Sequence, residues 1–150
     1  MISNKLKAYN KSIRASNVYD VAEVTPITKA NTLSKELKNN IFLKREDLQP
    51  VFSFKVRGAY NKISKIKEKG ENRPVIAASA GNHAQGVAYS AKKLGLKSII
   101  VMPITTPLIK INSVKNFGGK VIFFGDNFDE AYNYAIKLAK KEDYLGDTNR

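Results

Sequence analysis

An α/β fold, with a parallel sheet covered by helices on both faces in three layers, is predicted by three features of this 150-residue sequence. Short apolar runs alternate with stretches whose apolar residues recur at helical spacing. Those runs are continuous rather than alternating with polar residues, as strands buried on both faces of a parallel sheet must be. Glycine, proline and asparagine mark the change from one kind of segment to the next.

Taken in order, folded structure is expected from about Val18 onward. Ile41 to Lys44 is a short strand, followed by a polar turn from Glu46 to Pro50. A helix begins near Ser53, which serves as its cap, and Val56, Tyr60, Ile63 and Ile66 fall on one face. After Gly70 and Pro74, the run Val75-Ile76-Ala77-Ala78 reads as a buried strand. Gly81 breaks it before a helix with Ala84, Val87, Ala88, Ala91 and Leu94 as its apolar stripe, and Gly95 stops that helix. The unit repeats in kind: a strand from Ser98 to Met102 stopped by Pro103, a helix from about Pro107 to Phe117 ending at Gly118-Gly119, and a strand at Val121 to Phe124. Asn127 caps the last helix, Glu130 completes a capping box, and Phe128, Ala131, Ala135, Leu138 and Ala139 form its buried face. The series is Rossmann-like, and it places ligands at the carboxyl ends of the strands.

Composition excludes several chemistries. With 43% hydrophobic and 26% charged residues the chain has the material for one sizeable core of a soluble protein. No apolar run approaches the roughly 20 residues that cross a bilayer, and the first twenty residues lack a secretory apolar stretch, so no membrane partner and a cytoplasmic location are expected. That opening segment carries lysine and serine with no acid before Asp20, as an organellar leader would, but forms no clear amphipathic pattern. The absence of cysteine removes disulfides, thiolate metal sites and thiol nucleophiles together, and a single histidine, His83, leaves little for a zinc site or a Ser-His-Asp triad. No metal is expected. The net charge of +13 comes mostly from lysines scattered over wet helix faces, so no nucleic-acid partner is expected.

Two strand-to-helix loops carry the unusual residues. In Gln49-Pro50-Val51-Phe52-Ser53-Phe54-Lys55-Val56-Arg57-Gly58-Ala59, Lys55 falls in the opening turn of a helix. The electropositive helix end, with partial burial beside Phe54, disfavours the ammonium, and a neutral amine is what imine formation needs. Taken alone, this spacing is better explained by a solvated lysine at a helix start, which Phe54 and Gly58 argue against only modestly. In Ser79-Ala80-Gly81-Asn82-His83-Ala84-Gln85-Gly86, backbone N–H groups opening a helix can converge on a carboxylate or phosphate. Gly81 permits the tight turn, while Asn82 offers its amide to a ligand oxygen. A plain corner capped by Ser79 reads equally well, and His83 suits local hydrogen bonding and packing better than acid–base work. Asp126, Asp129 and Glu130 read as cap and dipole partners.

At these loops a family resemblance becomes specific. Lys44-Arg45-Glu46-Asp47 followed by Gln49 through Tyr60 resembles the cofactor-lysine signature of the serine/threonine dehydratases, and Ala78 through Ala88 resembles their substrate loop. The likeness runs from about Val18 to Glu142 and takes in Val101-Met102-Pro103 and Gly125-Asp126-Asn127-Phe128-Asp129. The Gln-Pro-Val form before Ser53 is closer to the biosynthetic, threonine-using branch than to serine racemases or the degradative type.

The resemblance implies a fold-type II, tryptophan synthase β-like enzyme of pyridoxal 5'-phosphate. It implies that Lys55 carries the cofactor as a Schiff base and moves the α-proton, that Phe54 and Asn82 contact the cofactor, and that Ser79, Gly81, Asn82 and His83 surround the substrate carboxylate. The substrate would be an amino acid, with L-threonine deaminated to 2-oxobutanoate and ammonia on the way to isoleucine, and full-length relatives would be homo-oligomers. A serine dehydratase or serine racemase is the nearest alternative, and a non-catalytic remnant or interaction module comes from another class. Residues 1–46 would be the first segment of a larger subdomain, 47–143 a small subdomain, and 144–150 a divergent tail. The family's glycine-rich phosphate loop has no counterpart among the nine glycines, so a truncated chain, inactive alone, is expected.

Overall fold

The computed structural model describes residues 3–146. In order it contains α1 (Asn4–Arg14), β1 (Ile27–Lys29), α2 (Asn31–Glu36), β2 (Phe42–Lys44), α3 (Lys55–Glu68), β3 (Val75–Ala78), α4 (Asn82–Lys93), β4 (Ser98–Met102), α5 (Leu108–Asn116), β5 (Lys120–Phe123), α6 (Phe128–Lys141) and β6 (Leu145–Gly146).

The main sheet has the order β5-β4-β3-β6 with every neighbour parallel. The chain steps outward from β3 through β4 to β5, then returns by α6 to pair β6 with the other side of β3. Side-chain alternation assigns each face its cover. Val75, Ala77, Ile100 and Met102 pack with α3, α4 and α5 through Ile63, Val87, Ala88, Ile111 and Val114. Ile76, Ile99 and Val101 on the opposite face pack against Ala131 and Ala135 of α6. All five residues of β4 are buried, which explains why Ser98 to Met102 carries no period-two pattern.

The predicted strands and helices recur within a residue or so, because their boundaries are set by glycines and prolines that the backbone cannot ignore. Gly95, at φ +69°, ends α4 as predicted.

Three expectations are corrected. The strand at Ile41 to Lys44 does not join the parallel series; as β2 it pairs antiparallel with β1 in a separate ribbon. Its three residues are all exposed, so it lacks the two-sided burial that a central parallel strand needs. Ordered structure also begins before Val18, since Asn4–Arg14 forms a helix whose cap, Ser3, accepts a hydrogen bond from the Leu6 N–H at 3.3 Å. On that helix Leu6, Tyr9 and Ile13 do share one face, an amphipathic pattern although none of the three is buried. No helix among the described residues is long and apolar enough to cross a membrane.

Candidate functional site

Strand order reverses direction at β3, since β4 lies on one side of it and β6 on the other. In open parallel sheets this switch point is where a crevice forms beyond the carboxyl ends of the strands. A cavity of about 360 Å³ lies there. Ala78 and Ser79 floor it at the end of β3, while Phe54, Lys55, Gly58 and Ala59 line it from the start of α3, His83 from α4 and Phe128 from α6.

Lys55 is the first residue of α3, and its N–H donates to Ser53 Oγ at 3.2 Å, so Ser53 serves as a cap from one position further out than a regular N-cap. The lysine Nζ stands 5.0 Å from the centre of the Phe54 ring. Both side chains are exposed, Phe54 to 58%, which corrects the expected burial of the amine beside that ring. The inward-facing residues of this loop are instead its neighbours, with Val51 and Val56 fully buried against Val21, Ala22 and Tyr60.

A polar network ties the same loop to the segment before β1. The Glu46 carboxylate receives the Arg57 guanidinium through two bonds, Nε to Oε2 at 2.8 Å and Nη2 to Oε1 at 3.0 Å. It also accepts from Thr25 Oγ1 at 2.7 Å and from Gln49 Nε2 at 3.2 Å. The Arg57 contact, with Thr25 and Gln49 adding to it and burial opposing, holds the Glu46 carboxyl down to about 2. Gln49 is buried and brackets Glu23, accepting from its N–H at 2.8 Å and donating to its carbonyl at 2.9 Å.

The start of α4 is open by comparison. Gly81 is its N-cap and supplies no side-chain bond, while Ser79 Oγ accepts from the Gly81 N–H at 3.2 Å, one residue short of the helix. Ser79 is therefore not a cap for α4, and the helix begins with no side-chain bond from its N-cap residue. The start of α6 shows the closed version: Asn127 Oδ1 accepts from the Glu130 N–H at 3.0 Å, and Glu130 in return accepts from the Asp126 N–H at 2.8 Å. This is the predicted capping box, with Asp126 in place of the cap residue's own N–H.

The helices α3 and α4 meet at Gly86, where a Cβ would stand 3.1 Å from the Lys55 carbonyl oxygen and 3.4 Å from Ala59 Cβ. A side chain at this position would require α4 to give by a few tenths of an ångström from the lysine's backbone.

Among the residues singled out in the sequence, the fold brings Phe54, Lys55, Ser79 and His83 around one cavity. Gly81 and Asn82 sit at the head of α4 outside the cavity lining, with Asn82 exposed. Sequence reasoning missed Gly58, Ala59, Ala78 and Phe128 as lining residues. The spacing of Phe128 to Ala131 and Ala135 predicts a core residue; it is instead 45% exposed, lining the cavity and stacking on Tyr132 with ring centres 5.9 Å apart.

With that geometry established, the chain can be set beside known proteins. The profile of the pyridoxal-phosphate dependent enzymes matches residues 18–147, carrying past Glu142 into the last strand. The biosynthetic threonine dehydratase 1 of tomato chloroplasts (Solanum lycopersicum) is 56% identical over 134 residues, which is 89% of this chain and 22% of the tomato protein. The biosynthetic L-threonine dehydratase of Haemophilus influenzae is 58% identical over 127 residues, covering 85% of this chain and 25% of its own. Among solved structures, the processed form of threonine deaminase isoform 2 from tomato superposes with a TM-score of 0.89 at 47% identity, over 97% of this chain and 40% of that one. Maize serine racemase superposes with a TM-score of 0.84 at 27% identity, over 91% of this chain and 42% of its own. The chain thus spans about a quarter of the length of the curated relatives it matches.

Proposed function

The chain belongs to the pyridoxal-phosphate dependent enzyme family, and from that premise we propose that it supplies the lysine-bearing side of a site that deaminates L-threonine to 2-oxobutanoate and ammonia. The observation that carries the reading is the convergence of Lys55, Phe54, Ser79 and His83 on one cavity at the switch point of the sheet.

The residues present fit one end of the cofactor. Lys55 offers a primary amine at the cavity, and Phe54 an aromatic face beside it. When bound, the cofactor supplies an electron sink for the negative charge that develops at the substrate α-carbon. The chain's own work is then positional and protonic. Ser79, Gly81, Asn82 and His83 at the head of α4 would surround the substrate carboxylate, which the α4 dipole favours, and Asn82 would reach the cofactor ring. Lys55 Nζ would take the α-proton as general base.

The phosphate end has no such provision. The only adjacent glycines, Gly118 and Gly119, lie between α5 and the start of β5, at the end of the parallel sheet opposite to the cavity. We therefore expect the 150 residues to hold the cofactor weakly and to turn over no threonine by themselves. Residues 1–46, with the separate ribbon, are assigned to a larger subdomain and 47–143 to a small one. A cytoplasmic location and homo-oligomeric assembly go with this reading as expectations.

The reading is tested by treating the purified chain with pyridoxal phosphate, reducing with borohydride, and mapping the label by peptide mass spectrometry. Labelling concentrated at Lys55 is expected; labelling concentrated at another lysine overturns the assignment. Release of 2-oxobutanoate from threonine by the chain alone would overturn the expectation of inactivity.

A further inference from the structure

Lys55 Nζ makes no hydrogen bond or ion pair among the described residues; its one polar contact is with the face of the Phe54 ring. Its direction is therefore set by where the backbone of residue 55 is held, and the backbone there is held by side chains some distance away. Four groups converge on the Glu46 carboxylate: Thr25 from the strand approach, Lys44 at 3.9 Å from the end of β2, Gln49 from the turn that also carries Glu46, and Arg57 from the first turn of α3. Gln49 and Arg57 stand at the two ends of the arch that carries Lys55, and both also reach the Glu23 carbonyl, at 2.9 and 3.3 Å.

An arch pinned at both ends to one carboxylate cannot swing. Within it Phe52 adopts φ +56°, a left-handed conformation that costs a bulky residue free energy and persists where the surroundings over-determine it. The polar character of the clamp bears on its role. An apolar pair of similar volume would fasten the helix at least as firmly, whereas a guanidinium fork on a carboxylate adds a fixed angle. Arg57 is two residues from Lys55, so that angle is passed to the lysine through less than one helical turn.

We propose that Glu46 and Arg57 are positioning residues for Lys55, aiming its amine at the cavity without touching either substrate or cofactor. This rests on Lys55 being the cofactor lysine. Neither residue lines the cavity, which separates this role from that of the groups around the ligand.

The test follows capture of added pyridoxal phosphate in the 150-residue chain. The lysine amine condenses with the aldehyde with loss of water, and cyanoborohydride reduces the C=N bond to a stable secondary amine. The rate at Lys55 is read against that at Lys65, an exposed lysine further along the same helix. In the unchanged chain the ratio is expected to favour Lys55. Glu46→Gln keeps the shape but removes the charge, and the ratio is expected to fall about tenfold, since small misplacements of a reacting group carry large rate penalties. Arg57→Lys keeps the charge and loses the fork, and a fall of about threefold is expected. A general loosening of the fold would raise capture at both lysines and leave the loss unexplained, so the ratio separates aim from stability. An unchanged ratio in a Glu46→Gln chain with a native far-UV spectrum overturns the proposal; if that variant does not fold, an unchanged ratio in Arg57→Lys does so. An unchanged chain with no preference for Lys55 overturns the cofactor reading and takes this inference with it.

Discussion

The starts of α3 and α4 border the same cavity, and their backbones are secured in different ways. Ahead of α3, Ser53 receives the first helical N–H, Gln49 and Arg57 grip the backbone of Glu23, and Glu46 gathers both of them. Ahead of α4 there is a glycine, one hydroxyl bond to that glycine's N–H, and no side-chain bond from the N-cap residue. The difference follows from the task proposed for each. A lysine that must meet an aldehyde has to be aimed, and a long flexible side chain is aimed only through a rigid backbone. An anion is held by the amides themselves, and a side-chain cap would compete for them.

The comparison can be broken at its rigid side with the largest effect. Arg57→Ala leaves Glu46, whose side chain is only 16% exposed, without its guanidinium, and a loss of about 2 to 3 kcal/mol in urea unfolding is expected, because stripping one partner from a largely buried pair leaves a desolvated charge. Acid acts on the same carboxylate more mildly, since the protonated group keeps part of its hydrogen bonding. The folded carboxyl is lowered from 4.5 to about 2, so its stabilising contribution is complete above about pH 4.5 and is lost as pH falls toward 2. Unfolding followed by circular dichroism between pH 5 and 2 should show that loss in the native chain and a flatter profile in Glu46→Gln. The open side gives the smallest change and the opposite sign. Gly81 has extended backbone angles and open space around it, so Gly81→Asp can place a carboxylate over the α4 amides. A gain of about 0.5 to 1 kcal/mol in stability is expected, together with loss of any rise in melting temperature that added phosphate gives the native chain. A Gly81→Asp chain that is no more stable than the native one would show those amides to be already satisfied.

Much of the scaffold was legible because local signals and tertiary demands agreed. Val75–Ala78 and Ser98–Met102 are too apolar and too short to be anything but buried strands, and Gly95 and Asn127 mark helix ends by backbone and side-chain chemistry that needs no neighbours. Where the two disagreed the sequence misled. Ile41 to Lys44 has the composition of a strand, but nothing local says which sheet it joins, and it pairs with Ile27–Lys29 instead. Phe128 keeps the spacing of a core residue, yet it is half-exposed and lines the cavity.

By itself the sequence determined the α/β class, the order of its strands and helices, and the two loops in which chemistry concentrates, since these depend on periodicity and on residues that act within a few positions of themselves. Tertiary structure alone decided that α6 doubles back to put β6 beside β3, that this reversal opens a crevice between the two loops, and that Glu46 binds Arg57, Thr25 and Gln49 at once. The physical reason is range. Propensity and capping act over one or two helical turns, while a crevice and a shared carboxylate exist only when segments tens of residues apart are packed into contact.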